Sequence, residues 1–566
     1  MVAAVLAFVA VNLLFLGARP VLSADETRYG SIAAQMVESG DWMQLQMSGF
    51  LFYEKPPLVY WMMAASIEAF GRNAFAIRLP AALCGGLAAL AVGVAARRGA
   101  RLAGADANAA TVTGALVSLA SLTMALQAVG SSVAILDAPI AGMVLAASAC
   151  FFCGATETPG RRRLGWLVAA GVFAGLAFMT KGLLAVVFPA VTVGPWLAWE
   201  RRWRDLLVLP WIPLAVGALV VAPWAWAVTE HAPGFWTRFI VHEHFQRFAG
   251  SGSNQPKEPW AFYLLIVPLG AIPWIVTAPI AAPRWRALCS TRTGCRFAAC
   301  AVLGPLVFLS ASRGKLPTYA LPVLPPLAWL LVEGVLAAFA ATRDAWRPSR
   351  GSMVPGAVLV AIGVTSLGFA IAGDASAGLL GQAWSWAVHA HAAVLGAALV
   401  LWGAGDWVAQ RTRPGPSRVL WMGLSPVAAL ASFGLLFPDA ALDDALATGP
   451  SIRADAGPIT GAGTLICDQK LAHASAWFLD RTDFLVVGAP REFHNGLDRP
   501  EDSRRLVAEG EFAERLRLAQ RDGTVLLAAV TPAVDRMLAM PGVPEPQERV
   551  DHRGWAWVRW PAASAP

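Results

Sequence analysis

Charge is scarce in this chain: of 566 residues only 14% are Asp, Glu, Lys or Arg, while 57% are hydrophobic. That balance excludes an ordinary soluble enzyme and leaves a polytopic membrane protein. Lysine is scarcer still, with five among 44 basic residues. The net charge of +7 is carried by arginines in short clusters between apolar runs, so no basic surface is pooled for nucleic acid. A Walker-type phosphate loop is missing, and with it a nucleotide site of that kind. A disulfide framework is missing too. Cys84, Cys150, Cys153, Cys289, Cys295 and Cys300 fall in or beside apolar runs, and Cys467 is alone in the C-terminal segment, where one thiol closes no intramolecular bridge.

What is present is a long series of apolar runs, and 24 tryptophans suited to interfacial belts. Arginine clusters at 97–101, 161–163, 201–204, 284–296, 343–350 and 411–418 fall in every second loop. Short cytoplasmic loops retain Arg, so these loops are expected inside. About thirteen spans of roughly 20 residues then follow, with the N-terminus cytoplasmic and residues 438–566 outside. They are expected near 1–18, 74–96, 107–128, 135–153, 165–180, 183–199, 206–228, 260–281, 297–312, 316–341, 353–373, 386–408 and 419–437. The first run ends in Leu22-Ser23-Ala24 like a signal peptide, but its start carries no Lys or Arg, and it is expected to stay as a span. All five lysines (Lys55, Lys181, Lys257, Lys315, Lys470) fall on the expected outer side.

The first outer loop, 19–73, is far longer than a bundle turn, and loops of that length are usually functional. Ser23-Ala24-Asp25-Glu26 has the form of a capping box, and Tyr29, Ile32, Ala33, Met36 and Val37 recur at helical spacing. An amphipathic helix over 24–39, lying in the interface, is expected, with Asp25 and Glu26 at its positive end. Glu26 has an alternative duty as a cap; Asp25 has none. Pro56-Pro57 opens a second apolar segment, 58–70, too short to span and suited to an interfacial helix. Glu54 and Lys55 sit just before it, either as a simple salt bridge or with Lys55 as ligand for a lipid phosphate.

Three other sites lie on the expected outer face. Asp137 opens a span and is either a cap or a site residue. Lys181 occupies a tight turn and either snorkels or serves the site. His242 and His244 alternate in the loop 229–259; with Glu54 they would make a His/Glu set of the kind zinc accepts, though the pair alone is weak. The segment 438–566 is expected to be a small α/β domain, with strands near 464–466, 484–487 and 524–528 and helices near 470–479 and 503–520. Domains are therefore placed at 1–437 and 438–566, the second a lid or acceptor-docking platform.

In order along the chain run Asp25-Glu26-Thr27-Arg28-Tyr29, Glu38-Ser39-Gly40-Asp41-Trp42, Tyr53-Glu54-Lys55-Pro56-Pro57, Arg78-Leu79-Pro80, Leu136-Asp137-Ala138-Pro139, Thr180-Lys181-Gly182, Glu243-His244-Phe245-Gln246-Arg247-Phe248 and Gly314-Lys315-Leu316-Pro317-Thr318-Tyr319. This ordered set, over roughly residues 20–330, resembles the aminoarabinose lipid A transferases. Those belong to the GT-C polyprenyl- and dolichyl-phosphate-sugar glycosyltransferases, which include protein mannosyltransferases. Glu492-Phe493-His494-Asn495-Gly496-Leu497-Asp498 resembles that family's outer domain more loosely.

The resemblance implies transfer of a sugar, aminoarabinose or a related one, from a polyprenyl (undecaprenyl) phosphate carrier. The acceptor would be lipid A or another envelope molecule at the outer face of the inner membrane, with a protein hydroxyl as the alternative. It implies Asp25 as the catalytic carboxylate and Lys55 and Arg247 as holders of the carrier phosphate. Arg28, Tyr29, Tyr53, Asp137, Lys181, Lys315 and Tyr319 are counted with the cavity, and Glu54 and His244 with a divalent-metal pair; no cofactor is required. Phe52-Tyr53 departs from the Tyr-Phe order usual in the aminoarabinose enzymes, which leaves the sugar open. Direct displacement of a phosphate-linked sugar inverts the anomeric centre and needs no second carboxylate as nucleophile. A transporter would show inverted repeats and broken helices at the midplane; no matching halves are found, and the ionisable groups gather in outer loops.

Overall fold

A computed structural model describes residues 13–22, 25–232, 234–246, 258–342, 354–372, 386–431, 449–488, 493 and 500–563. The chain forms two compact units. One comprises residues 1–16 and 78–436; the other comprises residues 17–77 and 437–566. The second unit thus takes in the first outer loop together with the C-terminal segment.

The first unit is helical. Among the described residues, seven helices are long and apolar enough to cross a membrane, or eight if a bent pair counts as one span. They include Ala74–Leu102, Asp137–Ala155, Arg161–Lys181, Thr293–Ala311 and the run Pro317–Ala341. Shorter apolar helices occupy Ala107–Leu122 and Leu184–Trp199, and Phe262–Gly270 meets Trp274–Thr291 at 95°. Most of the expected spans thus coincide with apolar helices, several of them shorter than a full crossing. Most of the run 1–18, and 432–437 of the last one, lie outside the described residues.

Packing in this unit relies on small residues. A Cβ on Gly171 would lie 2.8 Å from the Pro213 carbonyl oxygen, and one on Gly175 2.9 Å from that of Gly217, so Arg161–Lys181 and Trp211–His231 meet backbone to backbone. In lipid, where no hydrophobic force drives helices together, such close approach is the main source of association. Phe152, Trp196, Phe297 and Trp329 form an aromatic core, with Phe152 and Phe297 centroids 4.6 Å apart. Arginines of the basic clusters pair with acids of other segments: Arg296 with Glu200 at 2.7 Å, Arg98 with Glu157 at 3.2 Å, and Arg292 with Glu333.

The second unit is built on a six-stranded sheet of order β5-β4-β3-β6-β8-β7. The strands are β3 (Thr464–Cys467), β4 (Leu485–Val487), β5 (Leu506–Val507), β6 (Val525–Val530), β7 (Glu548–Asp551) and β8 (Trp555–Trp560). Strands β3 to β6 pair in parallel and β8 runs antiparallel to both β6 and β7. Continuous apolar runs such as Val525-Leu526-Leu527-Ala528-Ala529 suit parallel strands covered on both faces. Ile466, Leu527, Val558 and Trp560 bury against Phe512, Leu516 and Val534 from the flanking helices. The helix expected over 503–520 starts only at Phe512, because Leu506 and Val507 are drawn into the sheet as β5.

The outer-loop helices appear as Asp25–Ser39 and Leu58–Phe70. Ile32, Ala33 and Met36 are buried, and a Cβ on Gly30 would lie 3.0 Å from the Trp477 ring, so the first helix packs on Gln469–Phe478. Between the two helices, β1 (Gln46–Met47) and β2 (Phe50–Leu51) form a hairpin. Its turn, Ser48-Gly49, has φ of +53° and +80°, the left-handed pair that a two-residue hairpin demands. Arg505 holds it from the C-terminal side, donating to the Gly49 carbonyl at 3.0 Å with its guanidinium 4.1 Å from the Phe50 ring centroid. Ser48 Oγ and His473 Nδ1 are 2.8 Å apart.

Candidate active site

Two adjacent carboxylates open the helix Asp25–Ser39 and meet opposite environments. Glu26 is fully buried and receives two hydrogen bonds from Arg19, Nη1 at 3.2 Å and Nη2 at 3.3 Å. It also accepts from the Leu22 backbone N–H at 2.8 Å. Ser23, the expected cap, lies outside the described residues. Glu26 therefore does reach back over the helix start, but chiefly as half of a buried ion pair. Arg19 was not singled out in the sequence; the signal was an arginine seven residues before a helix-opening glutamate.

Asp25 is 65% exposed and lies 3.5 Å from Arg28 Nη2. Its carboxylate sits on the wall of a cavity of about 460 Å³ whose other described lining residues, apart from Arg28, come from residues 468–537 of the same unit. Arg28 also lies over the Tyr29 ring at 4.4 Å and donates to the Tyr29 hydroxyl. Tyr29 in turn meets Tyr60 at 6.0 Å, and Phe52 meets Tyr60 edge-on at 6.0 Å. Tyr53 is buried. Lys55 precedes the helix Leu58–Phe70, and its Nζ donates to the Glu54 carbonyl at 3.0 Å. Pro57 caps that helix without a side-chain bond, so first-turn N–H groups, which no helical carbonyl can satisfy, open next to Lys55.

The first unit carries its own cluster. Asp137 is the first residue of Asp137–Ala155, yet no side chain caps that helix. Its carboxylate pairs with Lys181 through Oδ1 and accepts from Thr318 Oγ1 at 2.5 Å through Oδ2. Lys181 ends Arg161–Lys181, where Gly182 turns the chain at φ +69°, and its ammonium lies 4.5 Å from the Tyr319 ring centroid. The cap reading for Asp137 is therefore replaced by a buried three-way contact, since burial demands a partner for each charge. Thr318 belongs to the run Gly314-Lys315-Leu316-Pro317-Thr318-Tyr319, and nothing in that run announces its bond to Asp137. Lys315 is buried and donates to the carbonyls of Ser312 and Glu258, the latter at 3.1 Å, which closes the turn before Pro317.

The segment of His242 and His244 forms a π-helix, Thr237–Gln246, but the side chains of 242–246 and all of Arg247 lie outside the described residues. Among the described residues no three His, Cys, Asp or Glu side chains group to hold a metal ion. Glu54 alone makes no such set.

Residues 2–239 match the family model of the dolichyl-phosphate-mannose-protein mannosyltransferases, and residues 449–559 that of the C-terminal domain of arabinosyl transferase ArnT. Undecaprenyl phosphate-alpha-4-amino-4-deoxy-L-arabinose arabinosyl transferase 2 of Pseudomonas fluorescens is 37% identical over 326 residues, 57% of either chain. The arabinosyl transferase of the same description from Pseudomonas aeruginosa is 31% identical over 541 residues, covering 92% of this chain and 91% of that one. The crystal structure of ArnT from Cupriavidus metallidurans bound to undecaprenyl phosphate shares the fold, with a TM-score of 0.75 at 24% identity over 99% of this chain and 97% of that one. With relatives matched from end to end and both family models in chain order, this multi-pass membrane protein belongs to the undecaprenyl phosphate-aminoarabinose arabinosyl transferases, a glycosyltransferase family.

Proposed function

We propose that this chain is an inverting glycosyltransferase that moves 4-amino-4-deoxy-L-arabinose from undecaprenyl phosphate to lipid A at the outer face of the inner membrane. In this reading it crosses the membrane thirteen times, with its N-terminus cytoplasmic and its C-terminal α/β segment periplasmic. The observation that carries the catalytic assignment is the division of labour between neighbours. Glu26 is consumed by Arg19, whereas Asp25 presents its carboxylate to a cavity.

In the transfer, Asp25 accepts the proton of, or orients, the acceptor oxygen as that oxygen bonds to the anomeric carbon. The bond from that carbon to the carrier phosphate oxygen breaks from the opposite face, and undecaprenyl phosphate departs with the bonding pair. Lys55 and Arg247 relieve the negative charge growing on it, Lys as a point charge and Arg by its fork. Arg28, Tyr29 and Tyr53 in the one unit, and Asp137, Lys181, Lys315 and Tyr319 in the other, are the further residues assigned to substrate binding. Glu54 and His244 are the residues that would hold a divalent cation; such an ion would neutralise phosphate charge.

Purified protein supplied with the undecaprenyl-phosphate-linked sugar and lipid A tests this. Asp25→Asn, which keeps side-chain size, should cut kcat by roughly 10²–10⁴. Lys55→Ala should instead weaken binding of undecaprenyl phosphate. Undiminished turnover in the first variant, or unaltered carrier affinity in the second, would remove that residue from its role.

A further inference from the structure

We infer that the cavity beside Asp25 is the acceptor subsite, in which Lys470 and Arg536 of the C-terminal segment hold an anionic, phosphate-bearing sugar headgroup. The inference rests on the reading of Asp25 as the group that meets the acceptor oxygen, and it names the residues and the ligand chemistry of the acceptor-docking role that the sequence left as one of two readings for this segment.

Asp25 and Arg28 form one wall, and the other described lining residues belong to 468–537. Those residues lie on the ends of β3, β4 and β6, in the turn Glu509–Glu511 after β5, and on the helices that follow β3 and β6, Gln469–Phe478 and Thr531–Leu538. Lys55, matched to carrier binding, is not among the described residues that line the cavity. A volume of about 460 Å³ is of the size that accepts a small polar ligand such as a sugar with its phosphate. A base must touch the oxygen it activates, so the compartment that Asp25 faces is the one the acceptor enters.

The lining charges favour an anion. Asp468 is already spent: one oxygen accepts from Leu471 N at 2.9 Å and the other from Val530 N at 2.8 Å, which ties the helix start to the end of β6. Glu509 accepts from Arg536 at 3.4 Å in an exposed pair, a contact weak enough for a phosphate to replace. With Arg28 set against Asp25 and these acidic groups accounted for, Lys470 and Arg536 supply the cationic lining. Arg offers a planar fork and Lys a mobile point charge, the pairing that recognises phosphate. Gln469 and His473 add hydrogen-bonding groups suited to sugar hydroxyls.

The test uses the full-length protein in lipid nanodiscs, with bisphosphorylated lipid A and its enzymatically dephosphorylated form as probes. Lys470→Ala/Arg536→Ala should raise the KM for lipid A roughly ten- to hundredfold, the loss expected for charge-assisted contacts. Its KM for the undecaprenyl-linked sugar and its kcat at saturating acceptor should hold. Arg521→Ala, which removes an arginine that does not line the cavity, should leave the acceptor KM unchanged. Direct binding of lipid A to Asp25→Asn protein separates the two levels of the proposal. There, tight binding that falls with the Lys470/Arg536 substitutions and with dephosphorylation supports the subsite even where turnover is lost. An unchanged acceptor KM, equal binding of dephosphorylated lipid A, or a rise confined to the donor KM would overturn it.

Discussion

Glu26→Ala is the substitution whose cost the structure specifies best. Arg19 is 3% exposed and Glu26 is fully buried, and they share two N–H···O contacts at 3.2 and 3.3 Å. Removing the carboxylate leaves a guanidinium buried without its counter-charge, which costs about 3–5 kcal/mol, and also strips the Leu22 N–H of its acceptor. For a unit of this size that corresponds to a fall of roughly 6–20 °C in unfolding temperature. Arg19→Met should cost a similar amount. The double variant Arg19→Met/Glu26→Met, which places apolar side chains on both sides, should lose much less than the sum, because no charge remains to be desolvated. The assay is tryptophan fluorescence on heating the purified full chain, run at a fixed scan rate because membrane proteins seldom refold. A fall below about 2 °C for either single variant, or strict additivity in the double, would refute a buried ion pair.

Gly30→Val should disrupt the seat of helix Asp25–Ser39 on Gln469–Phe478, since even a Cβ would lie 3.0 Å from the Trp477 ring; overpacking of this kind costs about 1–3 kcal/mol, and the same thermal scan reads it. Lys181→Met should destabilise the helical unit and lower expression, because it leaves the buried Asp137 carboxylate with only Thr318, whereas Asp137→Asn/Lys181→Met should recover part of the loss. Burial, opposed by Arg72 and reinforced by the neighbouring Asp480, pushes the Glu38 carboxyl up to about 6. A carboxyl raised in the folded state binds its proton more readily than the unfolded chain, so it adds stability as pH falls through 6 and completes that gain near its ordinary value of 4.5. Wild type minus Glu38→Gln in unfolding temperature should rise over that window, and an identical pH dependence would contradict the assignment.

Much of this architecture is legible in the sequence because its signals are local. The helices Asp25–Ser39 and Leu58–Phe70 follow from spacing and from Pro56-Pro57, and strands β3, β4 and β6 from short apolar runs in a segment richer in charge. The turn at Lys181-Gly182 is equally local, since glycine supplies the φ +69° that ends the helix. What the sequence conceals is pairing at a distance. Arg505 clamps a hairpin more than 450 residues earlier, and His473 reaches Ser48 across a similar separation. Nothing in either segment announces its partner, so the outer loop and the C-terminal segment read as separate parts. β8 was missed for another reason. Trp-Ala-Trp-Val-Arg-Trp is buried at five of its six positions, so side chains on both faces of β8 are covered and the alternation that marks a half-buried strand is erased. At the site, the capping-box spacing already sets Glu26 apart from Asp25. What it conceals is Arg19, the partner that makes Glu26 half of a buried ion pair.

Mass spectrometry of lipid A and other envelope glycolipids from matched cells carrying wild type or Asp25→Asn, with equal amounts of protein in the membrane, tests the central claim most directly. A mass increment of one aminoarabinose on lipid A, present with wild type and absent with Asp25→Asn, is the predicted result. An increment of equal size with both proteins would contradict the role of Asp25, and no increment with either would contradict transfer to lipid A.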